Sequence, residues 1–408
     1  MTQHARLQQK TLRTLTIAQI GAGVGTAGTV AAGSLLVASI TGSEELAGLA
    51  QTFSVLGAAA LALPLARLTL RGGRRLALSF GYAAGVIGSL FAILGGVNSN
   101  IYLMLTGSFL VGSASASAFQ ARFAAIDLVE EAHRAKQLSY VVWGSTVGAV
   151  TGPNLMAPAG DLAERFGLPR LTGPYMISAS TLTIASLLIF LFLKPDPYLT
   201  ALGEGKSYAA GKKHIKEALS DIWHKPVALF AILSIAIGHL VMVSVMVMTP
   251  VHMAHVDVSL KIIGLVISVH VIGMYAFSPV VGGISDRIGR IRTIQFGLLI
   301  LLASSLVAGT AAADDVPRLG IGLFLLGLGW SFTLIAGSAL LSSSVDSTLK
   351  TSSQGASDLV MNLAGAGGGA IAGVIISALT YGWLCAFAVV PVIGLAIWSV
   401  SFKALKTP

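Results

Sequence analysis

Cysteine is almost missing from this chain: Cys385 is the only one in 408 residues. An internal disulfide is therefore excluded, and so is a thiolate cluster of the kind that holds zinc. Charge is scarce too, at 11% of residues, where soluble domains carry roughly 25%. Acids are the rarer sign, 17 against 26 Lys and Arg. Their positions matter more than their number. Glu44, Glu45, Asp161, Glu164, Asp257, Asp314 and Asp315 fall between apolar runs at one end, and Asp127, Glu130, Glu131, Asp286, Asp346 and Asp358 at or near the other. Asp196, Glu204, Glu217 and Asp221 lie in a polar stretch at mid-chain. No carboxylate is expected at the centre of an apolar run, which removes the usual buried proton carrier of a drug exporter or sugar importer, although histidine could replace it. No nucleophile, base and acid set and no phosphate-cradling loop is visible, so an enzyme is not expected.

What is abundant is apolar sequence, 54% of residues, with a mean hydropathy of +0.82. Runs long enough to cross a roughly 30 Å hydrocarbon core as helices recur throughout. Twelve spans are placed at 14–40, 46–68, 76–97, 101–125, 139–159, 172–193, 226–250, 259–284, 291–312, 318–341, 355–379 and 383–402. The first is too long for a signal peptide and is read as an uncleaved helix. Lys and Arg crowd the loops on one side, from Arg6, Lys10 and Arg13 to Lys403 and Lys406, while Arg165, Arg170, Lys261 and Arg318 alone fall on the other. Both termini are therefore expected in the cytoplasm. The net charge of +9 then reflects this asymmetry and an anionic bilayer as partner, and nucleic acid is not a partner.

One polar segment, 194–225, separates six spans (1–193) from six (226–408) and holds an amphipathic stretch at Lys212 to Trp223. The halves rhyme. After the second span comes Leu65-Ala-Arg67-Leu-Thr-Leu-Arg71-Gly-Gly-Arg74-Arg75, and after the eighth Gly282-Gly-Ile-Ser-Asp286-Arg287-Ile-Gly289-Arg290. Such correspondence suggests an internal duplication. Span five carries Gly148-Ala-Val-Thr-Gly152-Pro153, small residues that permit close helix approach before a bend. Arg122, near the inner end of span four, is read as an anion contact, a helix-end anchor or a partner for Asp127.

Half of the Met and His residues fall in one window: His239, Met242, Met246, Met248, His252, Met253, His255, His270 and Met274. Met242-x-x-x-Met246 and His270-x-x-x-Met274 each put two soft donors one turn apart. Thioether sulfur favours Cu(I) over hard cations, and imidazole binds copper in either oxidation state. Spans seven and eight are joined by a short turn and are expected to be adjacent and antiparallel. At about 1.5 Å per residue, Met242 lies roughly 12 Å below Pro250 and His270 roughly 16 Å below Ser259, which are similar depths. His239 shares the face of Met242, while His252, Met253 and His255 occupy the outer turn as an entrance. The bland reading is packing, which suits Met248, and a solvated turn, which suits His252 and His255.

The Asp286 loop resembles the G-x-x-x-D-R-x-G-R signature of the major facilitator superfamily, and the span count, connector and repeat extend the resemblance over the whole chain. It implies an all-α membrane fold of twelve helices in two pseudo-symmetric six-helix bundles, working by alternating access, with Asp286, Arg287 and Arg290 as a cytoplasmic latch. The first copy keeps Arg67 and Arg71 but lacks the acid, which Asp358 would supply. The span-five motif is similar to one frequent in the family's antiporters. Met242-x-x-x-Met246 with His270-x-x-x-Met274 resembles the CcoA-like bacterial copper importers of that superfamily. The resemblance implies copper, as Cu(I), as substrate on Met242, Met246, His270 and Met274, and import across a bacterial inner membrane. His239 is added from placement. No prosthetic group is expected, and a monomer is. The alternative is a proton-coupled drug or small-metabolite antiporter whose methionines line an apolar pocket.

Overall fold

In a computed structural model describing residues 3–43, 46, 48–203, 212–254, 256 and 258–401, the chain is all helical, with no strand among the described residues. Fifteen α-helices follow in order: α1 (Gln3–Thr41), α2 (Leu49–Val97), α3 (Ile101–Ala124), α4 (Arg134–Asn154), α5 (Met156–Arg165), α6 (Gly173–Phe192), α7 (Pro197–Leu202), α8 (Lys212–His224), α9 (Pro226–Ala254), α10 (Leu260–Tyr275), α11 (Ser278–Ile288), α12 (Arg290–Gly309), α13 (Val316–Ser344), α14 (Lys350–Ala378) and α15 (Tyr381–Ser401). Among the described residues ten helical stretches are long and apolar enough to cross a membrane.

The runs expected at 46–68 and 76–97 both fall in α2 and are separate helical arms that part at Gly73. The 49 residues of α2 are not one straight rod: a Cβ on Gly81 would stand 3.2 Å from Leu65 Cδ1, so the second arm folds back beside the first, and each arm is long enough for one crossing. Conversely, the run at 259–284 falls into α10 and α11, which part at Ala276 and Phe277. Pro279 has no N–H to offer the carbonyl four residues back, so the helical ladder cannot pass through.

The chain divides into two compact units, one of residues 1–129 and 140–212, the other of 130–139 and 213–408. In the first, α2 lies along α3, and α1 along α6. Gly148 of the span-five motif meets α1 so closely that a Cβ there would run into the backbone of Gly23, and one on Gly152 would come 2.6 Å from the Ala27 side chain. Those glycines therefore serve helix packing.

Within α2 the break is at Gly73 (φ 82°, ψ 176°). Glycine is required twice over, because φ is positive and a Cβ would collide with the Asp196 carboxylate. That carboxylate caps two helix starts. Its Oδ2 accepts from the Arg75 N–H at 2.7 Å, and its Oδ1 from the N–H groups of Tyr198 (2.9 Å) and Leu199 (3.1 Å). Beside it Arg74 makes a bidentate pair with Asp127, Nε to Oδ2 at 2.8 Å and a second bond to Oδ1 at 3.2 Å, both side chains almost fully buried.

In the second unit α12 packs on α13, and α9 on both α14 and α13, while α10 lies against α13. The first turn of α4 belongs to this unit.

Removing one member of a buried ion pair is far more damaging than removing both. Asp127→Ala is expected to cost about 3 kcal/mol, the low end of the usual range, because Asp196 also bears on Arg74. The double variant Arg74→Met/Asp127→Leu should recover most of it. Thermal unfolding of the purified protein in detergent reads both, and equal losses would contradict the pairing.

Candidate functional site

His270 and Met274 lie one turn apart on the face of α10 that meets α13. A Cβ on Gly327 of α13 would run into the His270 carbonyl and stand 3.0 Å from Met274 Cγ. The absence of that Cβ lets the helices close. A second glycine, Gly273, meets the Phe324 carbonyl in the same way. The His270 side chain is fully buried, at 0% exposure. Its Nδ1 stands 2.8 Å from the Leu323 carbonyl oxygen, and since a carbonyl only accepts, Nδ1 carries the proton. Its Nε2 is buried and has no hydrogen-bond partner among the described residues.

The other soft pair sits elsewhere. Met242 is buried and Met246 half-buried on α9, but α9 and α10 scarcely touch, because α13 stands between them. The expected adjacency of spans seven and eight is thus corrected. Chain order brings the two helices to similar depth, but glycine-mediated packing gives each its own side of α13. His239 is on α9, half-buried, with Nδ1 accepting from the indole N–H of Trp330 at 3.0 Å. An indole only donates, so the His239 proton is on Nε2, and neither nitrogen offers an open lone pair in this arrangement. The ring fits because Gly365 of α14 has no side chain: a Cβ there would be 2.8 Å from Nε2.

Sequence reasoning missed Trp330. It is almost fully buried in α13 and touches both flanking helices, His239 on α9 and, edge to face at 5.6 Å, Tyr275 on α10. Its one signal was an indole deep in an apolar run, far from the membrane surfaces where tryptophan concentrates. At the C-terminal end of α9 the His252 ring lies flat on Tyr381, centroids 4.4 Å apart, and Met253 is buried. His255 is outside the described residues. Among the described residues no group of three or more His, Cys, Asp or Glu could hold a metal.

The residues expected as a latch divide into two sets. Asp286 on α11 accepts from the N–H groups of Ala135 (3.1 Å) and Lys136 (2.9 Å), an anion on the positive start of α4. Arg290 reaches Glu131 Oε1 at 2.6 Å, the Glu131 carbonyl, and Ser343 Oγ at 2.8 Å. Arg287 is exposed, Arg67 half-buried and Arg71 exposed. None of these three makes an ion pair among the described residues. Asp358 is not near the inner end of its helix. It is fully buried, about 12 Å into α14 at 1.5 Å per residue, following a run of buried polar residues from Thr351 to Ser357. In the first unit the electrostatic work is done by Arg74, Asp127 and Asp196, which the repeat comparison did not single out.

The sequence profile of the Major Facilitator Superfamily matches residues 15–368 and 245–408. The chain is 35% identical over 401 residues to the MFS-type transporter YdeG of Bacillus subtilis strain 168, covering 96% of this chain and 92% of that one. It is 24% identical over 336 residues to the riboflavin transporter RfnT of Brucella anthropi, covering 81% and 80%. In fold it matches the crystal structure of the transporter FucP in its outward conformation, with a TM-score of 0.72, 16% identity, and 95% and 98% of the two chains covered.

The Arg290 hydrogen bond, foremost, holds the Glu131 carboxyl below its ordinary range. A depressed carboxylate stabilises the folded state above its unfolded value, and that contribution disappears as pH falls through the folded value. Acidification should therefore weaken the Glu131 contact in the parent and leave Glu131→Gln less affected, as read by thermal unfolding across the acid range. Asp286→Ala is expected to weaken the α4 cap by about 1 kcal/mol, and hydrogen exchange at the Ala135 and Lys136 amides should rise. Unchanged exchange would show that the carboxylate does not guard them.

Proposed function

We propose that this chain, which belongs to the Major Facilitator Superfamily and is a secondary transporter rather than an enzyme, imports copper as Cu(I) through His270, Met274 and the methionine pair of α9. The observation that carries this reading is the tautomer of His270. A metal-binding histidine characteristically gives its other N–H to a backbone carbonyl, which fixes the ring and leaves one nitrogen for the ion. His270 does this with Leu323, and Met274 lies one turn away. A buried imidazole nitrogen with no partner and no role would simply cost stability. Neutral donors would leave the ion's charge uncompensated, so binding would be loose enough for release. Because α13 separates Met242 and Met246 from His270, the four donors converge only in another state of the cycle. His239, held by Trp330, lines the path and is not a ligand in this state.

The ten apolar stretches support twelve crossings, because α2 is two arms that part at Gly73 and α4 with α5 provides another. The two compact units support two six-helix bundles joined by the connector. Loop charge supports cytoplasmic termini, and the bacterial relatives support a bacterial inner membrane. The glycine seam of α10, its break, and the Asp286 cap on α4 support a latch on the same element as the cargo site.

A second reading has its own observation. Trp330, Tyr275 and His239 form an aromatic group, and Asp358 is a fully buried carboxylate, so a planar organic solute moved with a proton also fits, in keeping with the flavin named for the Brucella relative.

Copper accumulation in proteoliposomes decides between them. The parent should accumulate Cu(I), and His270→Ala, Met274→Ala and Met242→Ala should each lower uptake by about 10–100-fold or more, since even loss of an outer-shell partner costs that much affinity. Riboflavin uptake that depends on Asp358, with no copper uptake, would replace the copper reading by the second. Copper uptake equal in all variants would remove these residues from the site.

A further inference from the structure

We propose that α8 is an interfacial anchor whose outward face binds the anionic lipid headgroups of the membrane surface from which α9 starts. This rests on the membrane-spanning character of the chain and not on its cargo. The helix is 13 residues long and sits outside the membrane-crossing stretches. One side is buried, with Ala218 at 0% and Ile222 at 4% exposure. On the other, Leu219 is 49% and Trp223 73% exposed. Lys216, Leu219 and Trp223 are spaced three and four residues apart, so they line one face.

The orientation of that face is fixed from the helix end. Lys225 bonds Asp221 at 2.9 Å and Asp346, just beyond α13, at 3.2 Å. The Asp221 hydrogen bond, foremost, raises the Lys225 pKa, so its ammonium is spent within the protein. Among the described side chains of α8, Lys216 is exposed and is a cation open to an outside partner.

Depth follows from connectivity. The crossing stretch begins at Pro226, three residues after Trp223, which sets the indole within about 5 Å of the first membrane-embedded turn. At that level an indole places its ring among the acyl ends and its N–H among headgroups, and lysine meets anionic phosphate. A soluble protein partner would need this apolar pair to face bulk water instead.

The full chain in nanodiscs tests this, with phosphatidylcholine alone or mixed with phosphatidylglycerol, the lipids brominated near the headgroup end of their acyl chains. The part of the tryptophan emission that vanishes in Trp223→Phe belongs to Trp223. That part should be quenched by the brominated lipid, more strongly with phosphatidylglycerol present, and Lys216→Glu should abolish the difference. Trp223 emission untouched by the lipid but quenched by aqueous iodide would overturn the proposal in favour of a face open to a soluble partner. Quenching equal with and without phosphatidylglycerol would overturn the anionic specificity.

Discussion

Helix starts that carry no cap of their own govern the arrangement of this protein. Each α-helix begins with N–H groups that lack an internal acceptor. The chain answers with carboxylates brought from far along the sequence. Asp196 closes the second half of α2 through Arg75, 121 positions away, and Asp286 closes α4 through Ala135 and Lys136. Both sit where two helical segments must end and restart, so each acid fixes a backbone break as well as a charge. The Asp196 case also explains Gly73, which must be a glycine because the carboxylate lies where a side chain would be.

Composition and the period of apolar runs were enough to read a helical membrane protein, because hydrocarbon thickness dictates run length whatever the partners. The Asp286-Arg287-x-Gly289-Arg290 loop was legible for the same reason that it is short: Asp286 and Arg290 act within one turn of each other. What the sequence concealed was lateral. Nothing in the run 226–284 tells that α13, some fifty residues further on, would wedge between α9 and α10, since the neighbour of a membrane helix is chosen by glycine seams such as Gly273 and Gly327 rather than by chain order. The acid missing from the first-half loop was equally hidden, because Asp196 reads as part of a polar connector until the fold returns it to Gly73. Trp330 joins His239 across 91 positions, a distance at which spacing rules say nothing.

The soft-donor window illustrates how much of a site spacing can carry. Placing His270 and Met274 one turn apart needed only helical period, and the fold keeps them on one face of α10. The proton state of His270 needed the Leu323 carbonyl, and the exclusion of His239 as an open ligand needed the Trp330 indole. Both facts are about acceptors and donors on α13, a helix with no methionine or histidine of its own to draw attention in the sequence.

That same helix makes the two halves of span eight unequal. α10 is clamped to α13 at Gly273 and Gly327, where backbones meet with no side chain between them, and such seams yield only by wholesale separation. α11 is held elsewhere: a Cβ on Gly282 would run into the Ala135 carbonyl and Lys136 Cα of α4, while Ser278 Oγ reaches the Met274 carbonyl and Ser331 only at 3.4 Å, too long for strong bonds. Between them the last α10 ladder bond runs from the Ala276 N–H to Ile272, and Pro279 prevents its resumption. A straight helix would force Asp286 to follow every tilt of His270. With the ladder interrupted, the seam of α10 on α13 and the Asp286 contact with the start of α4 belong to two separate helical segments rather than to one rigid rod.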